Sequence, residues 1–344
     1  FTATADNPSA VFYNAAGLTQ LDGTELRGNA YLFSPEYSYS SDAFGSAETD
    51  DDFQPVPSFF AAHRFDDSPL AIGFGMYAPF GLSLDWGKDA PFAPVAYEAR
   101  LAYVKYHFVA AWEITERLSA AAGISYDDGE LELKSTTGLL GSFEGDGQTL
   151  GFSLSLLWQP NEQHAFGLNY QAAGEVDFDG ASTTFGSAEA NLEFPESIVF
   201  GYSWRPNEKW NLEFNLDWTN WDRVNDLTVS SAFPDVPIPQ NWESSFIWEL
   251  GATRYFDHGW HLSGGYTFVE NSVPDSDFSP IVPDADRHYF QLGVGRDYES
   301  ISWQLTYQFT VAPDREVSGS ANILPDGTYD LESQGVALSL SYRF

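Results

Sequence analysis

Gly335-Val336-Ala337-Leu338-Ser339-Leu340-Ser341-Tyr342-Arg343-Phe344 alternates without a break. Val336, Leu338, Leu340, Tyr342 and Phe344 share one parity. Gly335, Ala337, Ser339, Ser341 and Arg343 share the other. Successive side chains of a strand point to opposite faces, so this is a strand with one apolar side and one small or polar side.

The pattern recurs upstream. Ile301, Trp303, Leu305, Tyr307, Phe309 and Val311 oppose Ser302, Gln304, Thr306, Gln308 and Thr310. Trp210, Leu212, Phe214, Leu216 and Trp218 oppose Asn211, Glu213, Asn215 and Asp217. Leu150 to Trp158 and Trp260 to Phe268 read the same way, with aromatic residues at the ends of the apolar stripes. Turn signals cut the chain into fourteen such segments. They are predicted at 24–40, 55–66, 70–79, 97–113, 118–133, 147–159, 164–179, 188–205, 209–231, 241–256, 260–270, 286–298, 301–317 and 331–344. Their connections alternate short and long. The short set includes Asp66-Asp67-Ser68-Pro69 and Thr115-Glu116-Arg117; the long set includes 80–96 and 271–285. A terminal strand ending in Phe, an even strand count and this alternation of loop length resemble bacterial outer-membrane β-barrels, with the short turns periplasmic. The expected fold is therefore all-β, a fourteen-stranded antiparallel transmembrane barrel. A soluble β-sandwich or propeller is the alternative, because alternation alone does not separate lipid from core.

Composition narrows the function. The chain has 344 residues with 15 Lys and Arg against 50 Asp and Glu, a formal charge of −35. That excess of acid argues against nucleic-acid binding, which needs clustered bases on phosphate. With 17% aromatic residues the chain is not a disordered acidic tail. There is no cysteine, hence no disulfide, thiol nucleophile or Cys-ligated zinc. No run of 18 apolar residues offers a transmembrane helix, but a barrel strand needs only about ten alternating residues. No signal peptide precedes Phe1, which reads as the start of a processed or trimmed chain.

At the N-terminus stands Thr4-Ala5-Asp6-Asn7-Pro8-Ser9-Ala10-Val11-Phe12-Tyr13-Asn14-Ala15-Ala16-Gly17-Leu18. This resembles the hatch segment of the FadL family, outer-membrane transporters of long-chain fatty acids and hydrocarbons. Tyr77-Ala78-Pro79-Phe80-Gly81-Leu82, Phe194-Pro195-Glu196-Ser197, Asp217-Trp218-Thr219-Asn220-Trp221 and Pro283-Asp284-Ala285-Asp286-Arg287 resemble further family segments in the same order. The resemblance implies a lumenal hatch over 1–23, shortened relative to the family, and a barrel over 24–344. It implies an inward kink of the third strand that opens a lateral exit. The family hatch normally carries Asn-Pro-Ala, where this chain has Asn14-Ala15-Ala16. Pro fixes φ and lacks an N–H, so its replacement predicts a more mobile hatch.

Candidate gating and substrate residues follow. Phe12, Asn14, Ala15, Ala16 and Gly17 belong to the hatch. Gly73, Gly75 and Pro79 stand in the third strand, where Gly marks a bulge or close approach and Pro removes a ladder hydrogen bond. Ordinary barrel curvature is the bland alternative. Arg100 and Lys105 share the fourth strand and could meet a substrate carboxylate, or pair with internal acids such as Glu213 or Asp217. Asp50-Asp51-Asp52 and Asp275-Ser276-Asp277 read as a solvated acidic rim; calcium is the alternative, without EF-hand spacing. His164, His261 and His288 sit in no serine motif or metal pair, so no enzyme, cofactor or metal is expected. The reading is passive uptake of a hydrophobic small molecule by a monomer among outer-membrane lipid and lipopolysaccharide. A polar-solute porin, or a structural or receptor barrel, is the rival.

Overall fold

The computed structural model describes residues 1–49, 53–137, 141–231, 236–322 and 324–344; Asp50-Asp51-Asp52 lie outside them. Fourteen strands form the wall. They are β1 (Thr24–Ser41), β2 (Gln54–Arg64), β3 (Leu70–Asp85), β4 (Glu98–Thr115), β5 (Leu118–Lys134), β6 (Ser142–Asn161), β7 (His164–Gln171), β8 (Ser197–Asn207), β9 (Trp210–Thr219), β10 (Ser245–Tyr255), β11 (Trp260–Val269), β12 (Arg287–Asp297), β13 (Ile301–Val311) and β14 (Gly327–Arg343). Each pairs antiparallel with its neighbour in chain order, and β14 closes on β1 from Glu25↔Arg343 to Ser40↔Thr328. That last pairing closes the sheet into a barrel.

The alternation of the sequence becomes an outward apolar band. Leu150, Phe152, Leu154, Leu156 and Trp158 of β6 are exposed, as are Val336, Leu338, Leu340, Tyr342 and Phe344. Trp158, Trp204, Trp210 and Trp260 stand near the short turns, where a barrel places an interfacial girdle. Arg254 lies 4.8 Å from the Trp210 ring and Arg296 5.1 Å from that of Trp260. No helix among the described residues is long and apolar enough to cross a membrane.

Four predicted strands are shorter than expected. The segments 164–179, 188–205, 209–231 and 301–317 each run past a barrel strand into a loop strand. Between β7 and β8 a hairpin of Gly174–Ser182 and Gly186–Phe194 stands above the wall. It takes over the pairing of upper β6, from Phe143↔Ser182 to Asp146↔Asp179. It also pairs with Asp226–Ser231, the first arm of a second hairpin that follows β9. Alternation continues through these arms, so polarity does not mark the point where the barrel ends. Pro195 before β8 and the 3₁₀ turn Trp221–Arg223 after β9 do.

The external side is closed by two apolar clusters. Phe143, Val176, Phe178, Phe194 and Val229 join the hairpins to the inner faces of β4 and β5. Tyr39, Trp86, Phe92, Phe278 and Tyr329 join the other loops. Arg315 binds that second group together. Its guanidinium donates to Asn271 Oδ1 at 2.8 Å, to the carbonyls of Val273 and Asp284, and to Asp275 Oδ1 at 2.7 Å. Asp275 of the predicted acidic rim is thereby engaged by a base.

The N-terminal residues fill part of the lumen. A single helical turn, Ala10–Tyr13, precedes a 3₁₀ helix, Ala15–Gln20. Val11, Ala15, Ala16 and Leu18 pack with Phe60, Ala71, Tyr77, Val109 and Leu157 from β2, β3, β4 and β6. Further back, Ala3 N–H donates to Glu213 at 3.0 Å and Asn211 donates to Thr4 Oγ1 at 2.8 Å. The segment thus reaches from one wall to the opposite one.

Candidate functional site

Among the described residues the ladder of the wall is interrupted between β2 and β3. β2 pairs with β1 from Gln54 to His63. With β3 it pairs only over Phe59 to Arg64, ending at Phe59↔Met76. β3 continues from Tyr77 to Asp85, paired with β4 alone. Two rows of backbone groups, Gln54–Ser58 and Tyr77–Asp85, therefore face each other without a ladder. Pro55 and Pro57 on one side and Pro79 on the other supply no N–H to rebuild it. In the same stretch the β3–β4 register slips between Tyr77↔Lys105 and Phe80↔Tyr103. Three residues of β3 advance against two of β4, a bulge at Ala78-Pro79. Inward parity changes with it: Gly73, Gly75 and Tyr77 face the lumen below the bulge, and Phe80, Leu82 and Leu84 above it.

Aromatic rings line the inner side of this interruption. Tyr77 is 5.0 Å from Phe12 and 5.8 Å from Phe60. Above it Phe80 meets Tyr103 at 5.8 Å, Phe194 at 5.2 Å and Trp221 at 6.0 Å. Beside the rings runs a buried polar chain. The Tyr77 hydroxyl and His107 Nδ1 share a hydrogen bond of 3.0 Å, and His107 Nε2 and Ser153 Oγ share one of 2.8 Å. Two residues along β4, on the same face, Lys105 Nζ pairs with Asp127 Oδ2 at 3.0 Å and donates to Ser125 at 3.3 Å. Tyr103 donates to the same Asp127 oxygen at 2.7 Å. Gly123 and Gly151 of β5 and β6 leave the necessary room. A Cβ on Gly123 would stand 2.4 Å from His107 Nε2, and one on Gly151 2.7 Å from Ser125 Oγ. His107 and Ser153 have the spacing of a base and nucleophile, yet they are 1% and 2% exposed, which leaves no space for a substrate carbonyl.

The predicted site residues fall in three places. Phe12 meets Tyr77 edge to face. Asn14 is fully buried; its amide donates to Thr2 O at 2.8 Å and Leu156 O at 2.9 Å while its oxygen accepts from Ala16 N–H. Ala15 N–H, which a Pro would lack, donates to Ser155 at 3.3 Å. Ala16 is fully buried, and a Cβ on Gly17 would meet Ala5 O at 2.2 Å. Gly73 and Gly75 face the segment: Cβ atoms there would lie 2.7 and 2.9 Å from the methyls of Val11. Their smallness admits the N-terminal segment, and the bulge belongs to Ala78-Pro79. Lys105 faces inward and is buried. Arg100 faces outward and is exposed. Neither base pairs with Glu213 or Asp217: the partner of Lys105 is Asp127. Asp127, His107 and Tyr77 were not singled out in the sequence. Folding the β4–β5 hairpin about Glu116 sets Lys105 opposite Asp127, and that register was readable.

A second feature lies across the barrel. A cavity of about 500 Å³ near the short turns is lined by Arg27, Glu213, Thr253, Ser263, Gln304 and other polar groups of β1 and β9–β14, with Thr4 and Asp6 as its inner side. On the outer face, His164, Phe166, Tyr202 and Phe214 border an aromatic groove, and His164 Nδ1 is 2.8 Å from the Tyr202 hydroxyl.

With this geometry established, comparison with known proteins gives a consistent result. The family described as outer membrane protein transport protein (OMPP1/FadL/TodX) matches residues 2–344. A long-chain fatty acid transport protein of Salmonella typhi is 21% identical, over 99% of this chain and 88% of its own. A FadL homologue of Pseudomonas aeruginosa superposes with a TM-score of 0.84 at 17% identity, covering 99% of this chain and 97% of that one. The toluene transporter TodX of Pseudomonas putida gives 0.77 at 15% identity, over 98% and 94% of the two chains. At these identities the superpositions speak for the fold.

Proposed function

This chain belongs to the outer membrane protein transport family (OMPP1/FadL/TodX), and from that premise we propose that it takes up small hydrophobic molecules by passive diffusion through the bacterial outer membrane. The cargo passes the external loops, rests against the aromatic rings inside the wall and leaves sideways into the bilayer between β2 and β3. The N-terminal segment is the hatch that keeps the lumen from being an open pore. The barrel works as a monomer, its outward band covered by membrane lipid and lipopolysaccharide.

The unpaired stretch of Gln54–Ser58 against Tyr77–Asp85 carries this reading. A lateral exit needs a place where the ladder is absent and the nearby lumen is apolar. Tyr77, Phe60 and Phe80 supply the second condition. Deletion of Pro79 removes the extra residue and lets β3 run in register. Uptake of a neutral fluorescent hydrophobe into proteoliposomes should then fall about tenfold or more, 1.4 kcal/mol at the barrier. Unchanged uptake in the folded deletion variant would sink the lateral route.

The polar cavity favours a second reading, a porin for polar solutes. Steady ion conductance in planar bilayers, without saturable binding of hydrophobic probes, would favour that reading.

A further inference from the structure

Resting on the transport reading, we infer that the cargo is uncharged, a hydrocarbon or a neutral derivative, and that Asp127 is the residue that excludes carboxylates.

Lys105 is the base at the inner edge of the unpaired stretch: it is the register partner of Tyr77, the last residue of β3 before the bulge. An anionic head group leaving there would need this ammonium. Asp127 already holds it at 3.0 Å, the two side chains being 10% and 3% exposed. A carboxylate cargo would have to displace a buried carboxylate that also accepts from Tyr103. Such a pair is costly to break, because the member left behind stays buried and uncompensated. The capacity left at the site is the wrong kind for an anion. Asp127 Oδ1 is buried with no hydrogen-bonding partner among the described residues, and it is an acceptor.

Among the described residues the other lumenal bases are paired with acids or ringed by them. Arg64 pairs with Glu113 at 2.6 Å, Arg287 with Asp284 at 2.8 Å and Arg315 with Asp275 at 2.7 Å. Arg100 faces outward. Arg27 lines the polar cavity, which Asp6, Glu25, Glu213 and Asp297 also line. On the opposite inner wall Asp217 and Glu249 hydrogen-bond to Thr219 and Asn215 rather than to a base. Like charges facing each other disfavour association, and a neutral molecule meets no such barrier.

The test is competition against N-phenyl-1-naphthylamine, a neutral probe, on the detergent-purified full chain. Methyl laurate and laurate have the same acyl chain and differ in charge. Methyl laurate should displace the probe at a concentration about tenfold or more below that of laurate, a gap of 1.4 kcal/mol. Asp127→Asn leaves Lys105 free for an anion and should narrow that gap by strengthening laurate. Equal potency of the two competitors on the unaltered protein overturns the inference while leaving transport standing. An unchanged gap in folded Asp127→Asn overturns the role of Asp127. Should that variant not fold, the ester-to-acid ratio of the unaltered protein decides the cargo class. Failure of the probe and both competitors to bind overturns the transport reading itself, and this inference with it.

Discussion

The wall of β2–β6 and the wall of β9–β14 are built from the same alternating strands and do opposite things with their inner faces. On β2–β6 the inward residues are glycine, aromatic rings, aliphatics, a buried His107–Ser153 polar chain and one sealed Lys–Asp pair, and the N-terminal segment lies against them. On β9–β14 they are mostly Ser, Thr, Gln, Asn and Gly, and they border a cavity of about 500 Å³. The ladder is broken on the first wall and continuous on the second. Where one face of a strand must meet lipid, only the other is free to vary. The barrel uses that freedom to place a packed, interrupted wall beside a polar, regular one.

Removing one partner of an ion pair should separate the walls most. Lys105→Met strands Asp127 in the packed wall, and the expected loss is about 3–5 kcal/mol. Arg205→Met at the cavity side leaves Asp6, but the two side chains are 42% and 39% exposed and the expected loss is under about 1 kcal/mol. Urea unfolding from lipid vesicles, followed by Trp fluorescence, measures both. Similar losses would mean that the two walls are equally well solvated.

Added volume gives the next contrast. Gly73→Ala places a methyl 2.7 Å from both Val11 and Leu18, with Val109 at 3.1 Å. Overpacking of this kind costs about 1–3 kcal/mol, and the N-terminal segment should become open to protease. At Gly251, which lines the cavity, a Cβ meets nothing within 4 Å, so Gly251→Ala should lie within about 0.5 kcal/mol of the parent. Equal protease resistance in the two variants would separate Gly73 from the packing of the segment.

Much of this was legible, and the misses have physical causes. Period two gave the outward stripes, because lipid enforces that parity on every strand. The same rule bears on the two bases of β4: Arg100 and Lys105 are five positions apart with no bulge of β4 between them, so one of them had to face out. Polarity alone does not separate the loop hairpins from β7, β8 and β9, because a hairpin above the membrane also alternates, one face being packed on apolar neighbours such as Phe143 and the other exposed. The cavity was not legible at all. A row of Ser, Gln and Gly says that a face is polar and says nothing of how far away the facing wall stands.

The smallest expected effect concerns Ala15, where this chain departs from the Asn-Pro-Ala of the hatches it resembles. From the sequence, loss of Pro predicts a looser segment. In the fold, Ala15 is the first residue of a 3₁₀ helix, and its N–H, which has no partner within the helix, reaches Ser155 at 3.3 Å. Asn14 before it is extended, at φ −170° and ψ 95°, outside the α region that a following Pro disfavours. Ala15→Pro is therefore compatible with the backbone. It would remove one long hydrogen bond, a loss of about 0.5–1.5 kcal/mol, and restrict the unfolded chain, a gain of about 0.4–1 kcal/mol. The two nearly cancel, so its unfolding midpoint and protease resistance should match those of the parent. Ser155→Ala removes the same contact without the compensating restriction and should be the slightly weaker of the two variants. If Ala15→Pro instead stabilised the barrel by several kcal/mol, the Ser155 contact would not be holding the segment, and the packed wall would owe its tightness to Val11, Leu18 and the glycines alone.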